Sequence, residues 1–224
     1  MNTPTTAGIN VERLPFRVRR AAGPQDLAKV VEIRAKSYAR HLPIMARSLV
    51  EPEPDDRRAD AILLLAERKL DGAPLGTTRL VPNFTSPLSS ETAAALPAQY
   101  RDLRILEASR LGVDDGDDGL LVTAALVKAT YLVGIALEVD CAIAIARRSA
   151  AKFFQRMGYD AIAGPRRFAG VPVPLWVLAM PTAEFEPRLR HLGHPYQQFI
   201  CETMHPDIDV TAVASRLAPA LALA

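Results

Sequence analysis

The segment Arg104-Ile-Leu-Glu107-Ala-Ser109-Arg110-Leu-Gly-Val113 is apolar enough for an inner strand, yet it carries a carboxylate and a guanidinium three residues apart. Burying an ionised carboxylate costs several kcal/mol unless it is paired. Glu107 therefore has either a use or a partner. Shielded between Leu106 and Ala108, its pKa would rise toward that of a base acting near neutrality. Arg79, in Leu75-Gly-Thr-Thr-Arg79-Leu-Val-Pro82, and Arg110 are candidates for a two-point grip on a substrate carboxylate. The rival reading makes Glu107 a structural ion-pair partner of Arg110 or Arg79. Strict strand alternation sets Glu107 and Arg110 on opposite faces, so a bulge between them is expected if both line one site. A strand distorted over Ser109 to Leu111 would also free backbone N–H groups to hold an oxyanion.

Other chemistries have weaker support. Asp114-Asp-Gly-Asp-Asp118-Gly119 looks like a calcium loop but lacks the downstream Glu at the required spacing. His191 and His194 have no third ligand nearby, and Cys141 and Cys201 have neither metal-ligand nor disulfide spacing. No metal is expected. Neither a Gly-x-Ser-x-Gly elbow nor a phosphate-binding loop occurs.

The elements that must position these residues follow from periodicity. Residues 1–15 read as a mobile arm and Phe16–Arg20 as a first strand. A helix from Pro24 carries Leu27, Val30, Val31, Arg34 and Tyr38 at helical spacing until Pro43, and Ile44 to Leu49 suits a second, short helix. An acidic, proline-bearing link from Glu51 to Asp60 leads to a strand over 61–66. Leu70-Asp-Gly-Ala-Pro74 turns it into a hairpin partner over 75–81. The long stretch 82–102 has room for a helical turn or two. After the strand over 104–113 come an apolar helix over 118–137, capped by Asp117 or Asp118, and a strand over 139–146 buried on both faces. A helix capped by Ser149 ends at Gly158, strands over 159–162 and 171–180 complete the sheet, and short helices follow Pro181.

The 224 residues suit one domain, over 16–224, with its own core. Gly119 to Leu137 has one charge, Lys128, and could just span a bilayer, but Glu138 and Asp140 close it at once and a core helix is expected instead. The polar N-terminus and the two isolated cysteines fit a reduced cytoplasm. Net charge is only +2, but residues 1–50 hold nine Lys/Arg against three Asp/Glu. Arg147, Arg148, Lys152, Arg156, Arg166 and Arg167 face Asp160 alone. Such clusters attract acidic partners, or are plain solvated faces. They lack the context of a nucleic-acid motif.

The order β-α-α-β-β-loop-β-α-β-α-β-β resembles the acetyltransferase-like (GNAT) superfamily, and Ala151-Lys-Phe-Phe-Gln-Arg-Met-Gly-Tyr159 resembles its penultimate helix and following strand. The resemblance implies an α/β fold: a twisted mixed sheet of about seven strands flanked by helices, with a V-shaped cleft between the two central parallel strands. Leu75-Gly-Thr-Thr-Arg79-Leu followed by Glu107-Ala-Ser109-Arg110 resembles the N-acyl amino acid synthases of the FeeM type and the acyl-homoserine-lactone (autoinducer) synthases. The implied activity is transfer of a fatty acyl group to the α-amine of an amino acid. Glu107, Ser109 and Arg110 are the catalytic candidates, with Glu107 taking the amine's proton directly or through a water. Arg79, with Arg34, Asp56 and Asp60 by resemblance, would bind the acceptor. An ordinary solvated acidic loop, and a snorkelling Arg34, are the alternatives.

Two departures shape this expectation. Superfamily members that use coenzyme A carry a glycine-rich turn at the central helix, where backbone donors cradle a pyrophosphate. The four carboxylates of Asp114–Asp118 would repel one. An acyl-phosphopantetheine presented by acyl carrier protein is thus the expected donor, acyl-coenzyme A is less favoured, and no permanently bound cofactor is expected. Arg147, Arg148, Lys152, Arg156 and Arg167 would then dock the acidic carrier. Phe154 replaces a tyrosine that many members use to protonate the leaving thiolate. The alternatives are an autoinducer synthase acting on S-adenosylmethionine and a non-catalytic module that binds acyl chains or carrier protein. With only Phe16 and Tyr38 aromatic in the first 80 residues, the amino acid acceptor is favoured over S-adenosylmethionine.

Overall fold

The computed structural model describes residues 10–94, 96–168, 170–211 and 213; most of the expected N-terminal arm, residues 1–9, lies outside the described residues. The chain runs β1 (Asn10–Val11), β2 (Phe16–Arg20), α1 (Gly23–Ala39), α2 (Pro43–Ala46), a helical turn at Pro54–Arg57, β3 (Ile62–Arg68) and β4 (Pro74–Pro82). It continues through α3 (Ser89–Ala94), β5 (Ile105–Val113), α4 (Gly119–Ala136), β6 (Cys141–Ala146), α5 (Arg148–Arg156), β7 (Asp160–Arg166), β8 (Leu175–Pro181), α6 (Phe185–His191), β9 (Thr203–Met204) and β10 (Ile208–Asp209).

Eight strands form one mixed sheet in the order β10-β2-β3-β4-β5-β6-β8-β7. Alternation divides their side chains between two helical layers. On one face Val30 of α1 packs on Leu63 and Leu65 of β3. On the other, Val122, Ala125, Leu126 and Ala129 of α4 pack on Ile62, Leu64, Leu80 and Leu106. Beside α4, Ala151 and Phe154 of α5 cover Ala144, Ala146 and Leu178. Burial in this layer accounts for the apolar length of α4. The helix lies close against β4: a Cβ at Gly76 would sit 2.7 Å from Val122 and 3.0 Å from Leu126.

β5 and β6 are the parallel centre of the sheet, paired only from Ile105↔Cys141 to Ala108↔Ala144. Beyond that point β5 keeps its ladder with β4 while β6 stays with β8. The sheet therefore splits, as the resemblance implied, at Ser109.

The structure refines or corrects the expectation in three places. The sheet expected at about seven strands has eight, because Ile208 and Asp209 pair in parallel with Val18 and Arg19. The segment after Pro181 is thus not only helical: beyond α6 it returns through β9, beside Asn10 and Val11, and β10 to the start of the chain. Lys128 is the hinge pin of that return. Its buried Nζ donates to the Phe199 carbonyl at 2.9 Å and to the Thr203 carbonyl, and lies 3.1 Å from His205 Nδ1. Third, Ser149 does not cap α5: the Arg147 backbone starts the helix, and the Ser149 hydroxyl accepts from the Arg147 guanidinium instead.

Candidate active site

The split between β5 and β6 opens into a cavity of about 870 Å3 that reaches both faces of the sheet. Glu107 lies in its wall with only 3% of its surface exposed. Oε2 accepts a 2.8 Å hydrogen bond from the backbone N–H of Ser90, at the start of α3. Burial raises the carboxyl pKa above its ordinary value, against the pull of Ser90's hydrogen bonding and the nearby charge of Arg79. The carboxylate thus gains proton affinity while staying within reach of the cleft, as a general base requires.

A bulge shapes the neighbouring strand. The ladder passes from Arg79↔Ser109 to Thr77↔Gly112, so Arg110 and Leu111 together oppose Thr78. Arg110 takes the left-handed conformation, φ 56°, in which side chains other than glycine, Asn and Asp are seldom found. This extra residue turns the Arg110 side chain toward the side that carries Arg79 and Ser109, and the strand edge beyond Ala108 borders the cavity instead of another strand. The Ser109 hydroxyl accepts from Arg79 Nε at 3.3 Å.

The guanidiniums converge on the turn at Pro54–Arg57. Arg110 meets Glu53 in a two-point pair with both contacts at 2.6 Å. Arg34, fully buried on α1, pairs with Asp56 at 2.6 and 2.9 Å and approaches Glu53 at 3.3 Å. Arg79 contacts Glu53 at 3.1 Å, Asp56 at 3.2 Å and Asp55 at 3.4 Å. Burial pushes the Glu53 and Asp56 carboxyls up, but hydrogen bonds and charge from these arginines outweigh it and both end below their ordinary values. Asp56 also accepts the Glu53 backbone N–H at 2.8 Å, which locks the turn.

These contacts revise the roles read from the sequence. Glu107, Ser109, Arg110 and Arg79 do line one cavity. Arg79 and Arg110, however, are already engaged by Glu53 and Asp56, so they do not stand open as a carboxylate grip, and neither takes Glu107 as its ion-pair partner. Arg34 and Asp56 pair with each other in the wall behind the cavity and support it without lining it, although the buried Arg34 Nε has no partner among the described residues. Asp60 lies apart, held by Arg58 and by the Thr85 hydroxyl at 2.6 Å. Glu53, the acid that joins all three arginines, reads in the sequence only as one of several acids in a polar link. Its signal was the spacing Glu53-Pro-Asp-Asp56: proline at the start of a single turn places acids three apart on one side, opposite a helix that carries an arginine among apolar neighbours.

The basic residues divide. Arg147 is half-buried and lines the cavity, whereas Arg148, Lys152, Arg156 and Arg167 are exposed. The acidic turn before α4 also borders the cavity, with Asp114 and Asp115 partly neutralised by Lys36 and Arg40.

Comparison with known proteins places this geometry in a family. The family model of N-acyl amino acid synthase FeeM matches residues 29–181. No curated protein matches the chain in sequence. Among solved structures, the N-acyl amino acid synthase FeeM from uncultured soil microbes superposes with a TM-score of 0.64 at 14% identity, covering 79% of this chain and 96% of its own. The coenzyme A-dependent acyl-homoserine lactone synthase BjaI, solved with SAM and isopentyl-CoA, gives 0.55 at 18% identity over 91% and 99%. The autoinducer synthase LasI gives 0.53 at 16% over 75% and 89%. The structural likenesses establish the GNAT fold, and because the sequence model spans well over half of the chain, this protein belongs to the FeeM family of N-acyl amino acid synthases and is an N-acyltransferase.

Proposed function

We propose that this enzyme joins a fatty acyl group, delivered as a thioester on acyl carrier protein, to the α-amine of an amino acid. The observation that carries the reading is Glu107, a buried carboxylate of raised proton affinity in the wall of a cleft where the central strands part. An amino acid arrives as an ammonium and must lose a proton before attack. Glu107 takes that proton, directly or through a water. The amine then forms the C–N bond, the carbonyl oxygen gains charge beside the bulge at Arg110, and the C–S bond breaks as the thiolate leaves, taking up the second proton that the nitrogen sheds to become an amide. Polar groups fixed before the reaction lower the energy of that oxyanion without reorganising. The Glu53–Arg110 pair holds the bulge, so Arg110 serves as a positioning residue.

Two surface features support a carrier-bound donor. Asp114, Asp115 and Asp117 sit at the cavity edge, with Asp118 next to them at the start of α4, where a free nucleotide's phosphates would meet negative charge. Arg148, Lys152 and Arg156 recur every four residues on exposed positions of α5, one helical stripe suited to an acidic protein.

The test is direct. Purified enzyme is incubated with acyl carrier protein charged with one saturated chain and a panel of amino acids, and products are read by mass spectrometry. An N-acyl amino acid, lost on Glu107→Gln, is the expected result. A lactone formed only with S-adenosylmethionine would assign the acceptor otherwise, and donor thiol released at equal rate by the Gln variant would remove Glu107 from the chemistry.

A further inference from the structure

On the face covered by α4 and α5 the cavity extends as an apolar arm walled by Leu126, Val127 and Phe154. Polar side chains interrupt this wall at few points. Tyr159, only 9% exposed, lines the cavity 5.2 Å from the Phe154 ring. Its phenol has no hydrogen-bond partner among the described residues. Burial holds it well above the ordinary tyrosine pKa, so it stays a neutral donor at physiological pH. Of the other tyrosines, Tyr131 donates to Glu186 at 3.1 Å and Tyr196 to the Leu120 carbonyl at 3.4 Å, while Tyr38 and Tyr100 are only half-buried and open to solvent. The second hydroxyl in the arm, Thr130, is already spent on the Leu126 carbonyl at 2.8 Å.

Buried phenols ordinarily find a partner. While the arm holds water, Tyr159 has one. A saturated chain that filled the arm would expel that water and strand the phenol; a chain bearing an oxygen would replace it. The penalty for stranding such a group falls on the binding of the saturated chain alone. Resting on the acyltransfer reading above, we propose that Tyr159 selects acyl donors that carry a hydroxyl or keto oxygen on the chain, in the first instance the β-oxygenated thioesters formed during chain elongation, over saturated chains of equal length. The phenol would donate to that oxygen and does not take part in bond breaking.

Binding and turnover separate this inference from the reading beneath it. Calorimetry compares β-hydroxyacyl-pantetheine with saturated acyl-pantetheine of the same length on wild type and on Tyr159→Phe, a change that keeps ring and volume; thermal melting confirms that the variant is folded. Wild type is expected to bind the hydroxylated thioester about tenfold more tightly, equivalent to about 1.4 kcal/mol, with the ratio falling to near one in the variant. Equal binding of both thioesters by wild type, a ratio unchanged by Tyr159→Phe, or no binding of either would overturn the inference. Amide formation from an amino acid is scored separately. Selective binding without any amide would leave the role of Tyr159 standing and remove the amino acid acceptor.

Discussion

Glu53 and Arg110 form a two-point ion pair across 57 residues of sequence, Nε to Oε2 and Nη2 to Oε1 each at 2.6 Å. The pair ties the acidic turn before β3 to the one non-glycine residue of β5 with positive φ. A backbone in that region is sustained only where its surroundings over-determine it, and Glu53 supplies that restraint. Glu53→Gln is expected to destabilise the protein by about 2–4 kcal/mol, since it leaves Arg110 and Arg79 with a neutral partner in a largely desolvated site. A double-mutant cycle with Arg110→Ala, followed by urea unfolding, should return a coupling of about 1–3 kcal/mol. Additive effects would mean that the pair does not hold the bulge.

Glu107 makes the rate depend on pH in a defined direction. A general base acts when deprotonated, and burial places this carboxyl above its ordinary 4.5. kcat/KM should therefore rise with pH along a limb whose midpoint lies above the usual carboxylate range. Glu107→Gln is expected to flatten that limb and lower kcat by about 10²–10⁴-fold. Stability moves the opposite way. A raised folded-state pKa means that the native protein binds this proton more tightly than the unfolded chain, so the native state loses stability as pH climbs through that interval. The Gln variant should escape this loss and unfold at higher urea at neutral pH. A limb that survives in the variant would belong to another group.

Most of the fold was legible because its elements carry local signatures. Val30, Val31 and Arg34 recur at helical spacing, the Leu70–Pro74 turn closes a hairpin, and Gly158, at φ 90°, ends α5 as a glycine should. Glu107 stood out because a carboxylate in an apolar strand is costly. What escaped reading depends on distance along the chain. Lys128 looked like one stray charge in an apolar helix, and its three partners lie more than 70 residues away. Asp207, whose carboxylate accepts the Leu14 N–H, is 193 residues from it. Arg79 and Arg110 gave no sign of being occupied, because the acid that occupies them belongs to a turn whose position relative to the sheet is set by packing alone.

Asp56 offers a second test by pH, with the opposite sign. Its carboxyl lies below the ordinary 3.8 in the fold, where burial is outweighed by Arg34 and Arg79. The stability it contributes is complete above that ordinary value and is lost as pH falls through the lower folded-state value. Asp56→Asn should thus cost about 3 kcal/mol or more at pH 7, as expected when one partner of a buried pair is removed, and the gap from wild type should narrow steadily below about pH 4. Denaturant midpoints measured from pH 7 to pH 2.5 check this. A gap independent of pH would show that Asn fails for reasons of shape and not of charge.

Lys128 joins α4 to the returning C-terminal segment through two carbonyls and His205. Lys128→Met keeps the length of the side chain but leaves those acceptors unmet, at a cost of about 1–3 kcal/mol each where they stay buried. The loss should be local. Hydrogen exchange is expected to speed at Thr203, Met204, Ile208 and Asp209, the strands that β1 and β2 pair with, while amides of β5 and β6 keep their protection. Uniform loss of protection would place Lys128 in the central cooperative unit instead.

The stripe Arg148, Lys152 and Arg156 projects from α5 with no acid facing it on the same helix. Charges of this kind act mainly on encounter with a partner and are screened by salt. Reversing all three to Glu should raise KM for acyl carrier protein by about tenfold or more at low ionic strength and leave the melting temperature close to that of wild type, because exposed charges contribute little to folding. The difference should shrink as salt is added, since a Debye length of about 8 Å at physiological ionic strength already weakens the attraction. Turnover of a small acyl-pantetheine donor, which makes no contact with the stripe, is the internal control. If both donors lose rate together, the stripe serves the fold of α5 rather than the docking of a carrier.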